Sequence, residues 1–241
     1  MADTLLLNGI VIIVGNYGSG KTEVAVNLAV DQHSKGKQVR LADLDLVNPY
    51  FRTREARHAL TALGIEVVLP AEGWLQADLP ILVPQVAGII RRPGDLAILD
   101  AGGDGVGARV LAALGEAFRD TPEAPQVLQV VNPFRPNTDT VERCQAMRGA
   151  IEAASRLKVT GWVGNPHLMD ETAPAHIQQG HDLMRALAAA SGLPLVFMAV
   201  ADGMRPAVAA DAMACPILTI RRQMVPPWRR PTPLPGVSIS K

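Results

Sequence analysis

Eight consecutive residues, 15–22, constrain the fold of this chain more than any other part of the sequence. They read Gly-Asn-Tyr-Gly-Ser-Gly-Lys-Thr and match the pattern G-x-x-x-x-G-K-[ST] of a phosphate-binding loop. The pattern is informative only between a strand and a helix, and both are indicated. Residues 10–14 are apolar and β-branched, and residues 21–30 have a helical composition. The sequence therefore predicts a strand, a loop and a helix in this order, and a bound nucleoside triphosphate.

The residue types of this loop suit nucleotide binding. Glycines let the backbone turn so tightly that several N–H groups point at one anion, and the following helix adds the positive end of its dipole. Lys21 would reach the β- and γ-phosphates, and the Thr22 hydroxyl would bind Mg²⁺. The predicted nucleotide-binding residues of this region are Gly15, Asn16, Tyr17, Gly18, Ser19, Gly20, Lys21, Thr22 and Glu23.

The rest of the sequence alternates between short apolar runs and longer helix-like segments. Apolar residues make up 48% of the chain and charged residues 19%, which is typical of a globular protein. The runs typical of buried strands are residues 39–43, 65–69, 96–100, 126–131, 159–164, 195–199 and 216–220. This alternation predicts right-handed crossovers, and so an α/β protein whose mostly parallel, twisted sheet has helices on both faces.

Three segments are less regular. Residues 70–84 contain three prolines and one glycine, so we expect an irregular excursion there and a helix over residues 84–90. Asn137 or Thr138 would cap a helix that continues to residue 156. From residue 221 onward, prolines exclude a helix or a central strand. We therefore divide the chain into a nucleotide-binding domain, residues 1–221, and a proline-rich tail, residues 222–241.

Charge and composition argue against nucleic acid as a partner. The 23 basic residues equal the 23 acidic ones, and only four Phe, two Tyr and three Trp could stack on bases. Four arginines, Arg221, Arg222, Arg229 and Arg230, lie around Trp228. They could suggest a membrane or RNA contact, but the composition of the tail favours a solvated or surface-draped segment.

Neither a leader nor a membrane span is expected. The N-terminus has Asp3 where a signal peptide has basic residues, and Asn8 and Gly9 interrupt its apolar stretch. No run approaches the roughly 18 apolar residues of a spanning helix. The two cysteines, Cys144 and Cys215, are far apart, which favours buried thiols in a reducing compartment. We expect a cytoplasmic protein.

Acidic residues follow two of the predicted strands. Asp100 ends an apolar run and is followed by Gly102 and Gly103, which would let the backbone approach a γ-phosphate. Asp43 and Asp45 lie two apart at the end of another strand, and they would share a face if that strand continued. Carboxylates at this edge of a parallel sheet are suited to Mg²⁺ and to positioning an attacking water.

With these motifs the chain resembles the MinD/ParA branch of the P-loop NTPases, also called the CobQ/CobB/MinD/ParA nucleotide-binding group. The resemblance implies the three-layer P-loop NTPase fold and an ATPase that binds Mg²⁺·ATP and forms a nucleotide-dependent homodimer. It implies Asp43 as the acid on the Mg²⁺ side, Asp45 as the residue that orients water, and Asp100 as the Walker B acid. Lys21, Asp43 and Asp45 would then be catalytic. Thr22, Asp43 and Asp100 would hold the metal, and Asn165 would read the base.

One position departs from this family. Its members carry a second lysine directly after the first glycine of the loop, where this chain has Asn16. Arg52 or Arg54 could supply the charge instead, because a guanidinium stabilises a transferring phosphoryl group. The two arginines are explained equally well as solvent-exposed residues at the start of a helix.

Three functions remain open from the sequence. The first is an ATP-driven switch or accessory factor for a protein client. The second is a synthetase of the dethiobiotin or cobyrinate type, in which ATP activates a carboxylate and residues 70–84 and 132–136 could line the substrate pocket. The third is a GTPase that delivers a metal. Against the third, residues 165–168 read Asn-Pro-His-Leu and not the guanine-reading N-K-x-D, and the five histidines are not clustered.

Overall fold

The computed structural model describes residues 5–45, 53–69, 79–103, 105–208, 213, 215–226 and 228–236. Within these residues, eight strands form one sheet in the order β3-β2-β4-β1-β5-β6-β7-β8, and all neighbouring pairs are parallel. The strands are β1 (Gly9–Gly15), β2 (Val39–Asp43), β3 (Glu66–Val68), β4 (Leu96–Asp100), β5 (Gln126–Val131), β6 (Gly161–Gly164), β7 (Leu195–Ala201) and β8 (Ile217–Ile220).

Seven α-helices and three short 3₁₀ helices connect the strands in the described part of the chain. The α-helices are α1 (Lys21–Ser34), α2 (Arg57–Ala62), α3 (Leu79–Arg91), α4 (Gly105–Ala113), α5 (Gly115–Arg119), α6 (Val141–Ser155) and α7 (Pro174–Ser191). The 3₁₀ helices are Thr53–Ala56, Met169–Glu171 and Asp202–Ala207. None of these helices combines the length and apolarity that a membrane span requires.

Both faces of the sheet are buried, as the unbroken apolar runs of its strands require. In β1, Val11 and Ile13 pack with Val24 and Leu28 of α1 on one face, where α2 also contributes. Ile10, Ile12 and Val14 of β1 pack on the other face against α3, α4 and α5. Further along the second face, α6 and α7 cover the strands on the far side of β5. The result is three layers, helices on either side of a sheet.

The order of the strands places a switch point beside β1. The chain leaves β1 toward β2, on one side, and leaves β4 toward β5, on the other, while β1 and β4 are neighbours. Ligands of open α/β sheets bind in the crevice at the carboxyl ends of strands at such a point. The loop after β1, residues 15–22, therefore lies where the topology favours a ligand.

Two predicted helix starts were wrong. Helix α3 begins at Leu79 and includes Pro84, because the apolar residues before this proline already form helical turns. Helix α6 begins at Val141, and its N-cap is Thr140, whose side chain accepts a hydrogen bond from Arg143 N. Thr138 instead donates its hydroxyl to Asn132 O at 2.8 Å, closing the loop after β5.

The described part of the tail contains neither helix nor strand, but it is packed against the domain. Met224 and Leu234 are buried in the core on the α1 face of the sheet. Asp170 accepts hydrogen bonds from the guanidinium groups of Arg222, at 3.2 Å, and Arg229, at 2.7 Å. The side chain of Trp228 is exposed. Residues 222–226 and 228–236 therefore cover the domain surface and add to its core.

Candidate nucleotide-binding site

Three glycines of the loop between β1 and α1 have positive φ, and at two of them a Cβ would also collide with a neighbouring residue. Gly15 has φ 149° and Gly20 has φ 87°, both in the region that L-residues rarely adopt. A Cβ at Gly15 would lie 2.5 Å from Val130 O of β5, and one at Gly20 would overlap the side chain of Asn165. Gly20 is the N-cap of α1, so the amides of the loop and of the first helical turn border the same concavity.

Lys21 connects this loop to the segment after β4. Its side chain is buried, and its Nζ donates a hydrogen bond to Asn16 O at 3.0 Å. A Cβ at Gly103 would lie 2.7 Å from Lys21 Nζ and 3.0 Å from Tyr17 N. The glycine after β4 thus permits the close approach of the two segments. The predicted phosphate-binding lysine and the predicted γ-phosphate segment are in contact.

Several polar and charged side chains of this region interact with the carboxyl group of Asp100. Asp100 ends β4, is buried, and is level with Asp43 of β2 and Ile13 of β1 in the sheet. Burial raises the pKa of its carboxyl to about 6. Hydrogen bonding to the Thr22 hydroxyl and the charge of Lys21 oppose this shift.

Two further residues act on the same carboxyl of Asp100. Thr53 Oγ1 donates to Oδ2 of Asp100 at 3.0 Å and lowers the pKa, whereas the charge of Asp45 raises it. The predicted residues Lys21, Thr22 and Asp45 therefore all interact with Asp100. Thr53, at the start of a 3₁₀ helix, was not predicted, because no local pattern marks its contact with a strand 47 positions away.

Asp43 and Asp45 do not lie on the same face of a continuing strand, because β2 ends at Asp43. Asp43 is fully buried. The backbone then turns, so that Asp43 Oδ1 accepts a hydrogen bond from Asp45 N at 2.9 Å. Leu44 N donates to Asp100 O at 2.8 Å and holds this turn against β4. Asp45 reaches the site from a turn and not from an extended strand.

The residues present fit a magnesium ion. Oδ1 of Asp100 is buried and accepts no hydrogen bond from the described residues, and the Thr22 hydroxyl lies beside the same carboxyl. Among the described residues no group of three His, Cys, Asp or Glu could hold a metal on its own. Mg²⁺ is usually bound by one or two carboxylates together with water and phosphate oxygens. Thr22, Asp43 and Asp100 would hold the ion when a nucleotide supplies the other ligands.

Asn165 contacts the loop of residues 15–22, where its side-chain amide donates to a backbone carbonyl. The residue follows β6 and is buried, and its Nδ2 donates to Ser19 O at 2.8 Å. The Ser19 hydroxyl is itself buried without a hydrogen-bond partner in the described residues. Asn165 therefore positions the loop, and its reading of a base remains a prediction.

The loop after β5 forms another wall of the site. Asn16 Nδ2 donates to Pro136 O at 2.9 Å, and Asn132 Nδ2 donates to His167 O at 3.0 Å. A Cβ at Gly18 would lie 3.7 Å from Nε of Arg135. The sequence placed residues 132–136 only in the substrate pocket of a possible synthetase and did not single out Arg135, although its position just after a strand end was a usable signal. Arg52 lies outside the described residues, and for Arg54 only the backbone, in the 3₁₀ helix Thr53–Ala56, is described.

His167 sits between this wall and the loop of residues 15–22. Burial, together with the charges of Arg135 and Arg222, lowers its pKa to about 4. A Cβ at Gly20 would lie 3.4 Å from its Nε2. The imidazole is therefore neutral at neutral pH.

The His167→Gln variant should tolerate acid better than the native chain. The pKa of His167 is lower in the folded state than in the unfolded state. The free energy of unfolding therefore falls as the pH drops from about 6.5 toward 4, and His167 accounts for about 2 kcal/mol of this loss near pH 5. Urea unfolding at pH 7.5 and pH 5 measures this loss. His58→Gln, on an exposed helix position, is the control. An equal acid loss in native and His167→Gln proteins would contradict the expectation.

The Glu23 side chain binds the tail. Its Oε1 accepts from Gln223 N at 2.8 Å and its Oε2 from Met224 N at 2.9 Å, while Asn27 Nδ2 donates to Oε1 at 3.0 Å. Burial raises the pKa of Glu23 in spite of these bonds. A contribution of Glu23 to nucleotide binding would therefore come from its backbone in the first turn of α1.

The Glu23→Gln variant should loosen the tail. The new amide NH₂ cannot accept a bond from Gln223 N or Met224 N, so one buried N–H loses its acceptor, at a cost of about 1–3 kcal/mol. Urea unfolding measures the cost, and limited proteolysis after residue 221 reports whether the tail is released. Glu116→Gln removes a carboxylate that is 91% exposed and serves as control. Equal stability of the two variants would show that these bonds contribute little.

Comparison with known proteins shows the fold. No protein-family model and no curated protein matches the sequence. The cell division protein FtsY of Thermotoga maritima is 21% identical with a TM-score of 0.54, over 80% of this chain and 62% of that one. FtsY of Elizabethkingia anophelis, a signal recognition particle receptor in complex with GDP, is 20% identical with a TM-score of 0.57, over 82% and 59%.

A third similar structure is the 54 kDa signal recognition particle protein of Aeropyrum pernix in complex with GDP. It is 21% identical with a TM-score of 0.51, over 82% of this chain and 42% of that one. The chain spans about three fifths, or less, of the lengths of these proteins. The likeness confirms the predicted three-layer α/β fold of the P-loop NTPases.

Proposed function

We propose that this chain binds Mg²⁺·ATP in the loop of residues 15–22, hydrolyses it, and acts as a nucleotide-driven switch for a protein partner. One observation carries the proposal. Lys21, Thr22 and Asp45, each predicted for this site, all act on the buried carboxyl of Asp100 at the end of β4. A purely structural loop gives no reason to collect a lysine, a hydroxyl and two carboxylates at the switch point of the sheet.

Each residue has a role in this proposal. Lys21 neutralises the β- and γ-phosphates, and the amides of residues 15–22 cradle them. Asp43, Asp100 and Thr22 hold Mg²⁺, which would neutralise the charge that develops on the phosphates. Asp45, in the turn beyond β2, orients the water that attacks the γ-phosphate. Phosphoryl transfer needs little beyond such positioning and charge stabilisation.

ATP is proposed over GTP on the sequence after β6. Residues 165–168 lack the lysine and the aspartate of the guanine-reading motif. Two structures similar in fold were solved with GDP, which makes GTP the nucleotide to test beside ATP. The resemblance to the MinD/ParA proteins supports ATP and a homodimer that forms around the nucleotide.

Titration calorimetry with Mg²⁺·ATP and Mg²⁺·GTP tests binding, and phosphate release without any added metabolite tests the switch. We expect ATP to bind more tightly than GTP and to be hydrolysed slowly by the chain alone. Turnover that depends absolutely on a small-molecule acid would favour the synthetase instead. The proposal falls if neither nucleotide binds in the presence of magnesium.

A further inference from the structure

Arg135 approaches the nucleotide-binding loop from the segment after β5. Nε, Cδ and Cζ of Arg135 lie 3.7, 3.9 and 4.0 Å from the position that a Cβ on Gly18 would take. Gly18 is in the middle of the loop, between Gly15 and Gly20, and has φ 72°. The planar end of the Arg135 side chain therefore lies against the loop that is proposed to hold the phosphates.

The backbone around Arg135 is fixed on both sides. Arg135 N donates to Asn132 O at 3.1 Å, and Arg135 O accepts from Thr138 N at 3.2 Å. The next residue, Pro136, accepts through its carbonyl from the Asn16 side chain at 2.9 Å. The loop of residues 15–22 thus contacts the segment that carries Arg135, and hydrogen bonds hold the backbone of that segment beside the loop.

The Arg135 side chain is half-buried, and its Nε lacks a hydrogen-bond partner in the part of the chain that is described. A buried N–H without an acceptor is costly, and such groups are rare in folded proteins. Arg135 also takes part in none of the ion pairs formed by the described residues. The described residues therefore supply no acceptor for this donor, although a buried N–H calls for one.

The surroundings of Arg135 favour an anion as that acceptor. The charges of Arg135 and Arg222 both act on His167, so two guanidinium groups lie near one neutral imidazole. Arg135 also lies beside the loop of residues 15–22, which leads into the N-terminus of α1, where backbone amides favour an anion. Phosphate oxygens match a guanidinium in charge and in geometry.

We propose that Arg135 binds a phosphate oxygen of the nucleotide held in the loop of its own chain, as a second cation beside Lys21. The inference rests on the proposed function, because it needs a nucleotide in that loop. It places the second positive charge in the segment after β5. A charge-assisted hydrogen bond of this kind is expected to change nucleotide affinity by about tenfold or more.

Four variants test the inference by calorimetry, with whichever of Mg²⁺·ATP and Mg²⁺·GTP the native chain binds. Arg135→Ala and Arg135→Gln remove the charge, Arg135→Lys keeps it, and Arg119→Ala removes an arginine that is 76% exposed on α5. Titrations at low and at high KCl report the electrostatic part, because salt screens exposed charges. Thermal unfolding of each variant shows that it is folded.

We expect Arg135→Ala and Arg135→Gln to lose about tenfold or more in affinity at low salt and less at high salt. Arg135→Lys should keep most of the affinity, and Arg119→Ala all of it. If Arg135→Ala does not fold, the nucleotide affinities of Arg135→Gln and Arg135→Lys are compared instead. Native affinity in Arg135→Gln overturns this inference and leaves the proposed function standing. A native chain that binds neither nucleotide overturns both.

Discussion

Replacing Lys21 with alanine should reduce nucleotide affinity on the order of 100-fold and abolish hydrolysis. The ammonium group is buried at the start of α1, 3.0 Å from Asn16 O, and its charge acts on Asp100. In a nucleotide complex it would form charge-assisted bonds to two phosphates, each worth about 1.5–3 kcal/mol. Titration calorimetry and a phosphate-release assay measure the two losses.

The matched control is Lys158→Ala, which removes a lysine whose side chain is 83% exposed and bonded to Glu152. It should bind and hydrolyse the nucleotide as the native chain does. Thermal unfolding of the Lys21→Ala protein checks that the variant is folded. A folded Lys21→Ala protein with native affinity would mean that the loop does not hold the phosphates.

Replacing Asp45 with asparagine should lower the rate of hydrolysis by about 100-fold or more and leave binding nearly unchanged. The carboxylate would orient the attacking water, a contribution made in the transition state, whereas Lys21 and the loop amides bind the ground state as well. The hydrogen bond from Asp45 N to Asp43 belongs to the backbone and survives the change. Single-turnover hydrolysis and calorimetry separate the two effects.

Asp120→Asn, at an exposed helix end, removes the same charge far from Asp45 and should leave turnover at the native rate. Asp45→Asn also removes a charge that raises the pKa of Asp100, so the pH dependence of binding should shift toward lower pH. A native rate of hydrolysis in Asp45→Asn would reject Asp45 as the residue that orients water, and would direct attention to Asp43.

The sequence predicted the parts of the fold that depend on local patterns. The loop of residues 15–22 is recognisable because its glycines, lysine and threonine stand at fixed spacings between a strand and a helix. Asp43 and Asp100 could be placed together because parallel strands end at one edge of a sheet, and the register makes them level. The start of α3 was missed because a proline was taken as a boundary, whereas the apolar residues before it continue the helix.

Contacts between segments far apart in sequence could not be predicted. The bonds of Glu23 to Gln223 and Met224 join positions about 200 apart, and no periodicity of either segment indicates them. The approach of Arg135 to Gly18 likewise depends on the turn after β5 and on a side chain of the loop, Asn16. Such contacts follow from tertiary packing, which a single sequence does not display.

The contact between the tail and α1 bears on how the protein should be handled in the laboratory. A recombinant protein ended at residue 221 would leave the Glu23 carboxylate without two of its backbone donors and would uncover the apolar surface now shielded by Met224 and Leu234. Glu23 is the direct neighbour of Thr22, so the damage would begin one residue from the proposed magnesium ligand. Recombinant proteins made for affinity purification or crystallisation should therefore include the whole C-terminal segment.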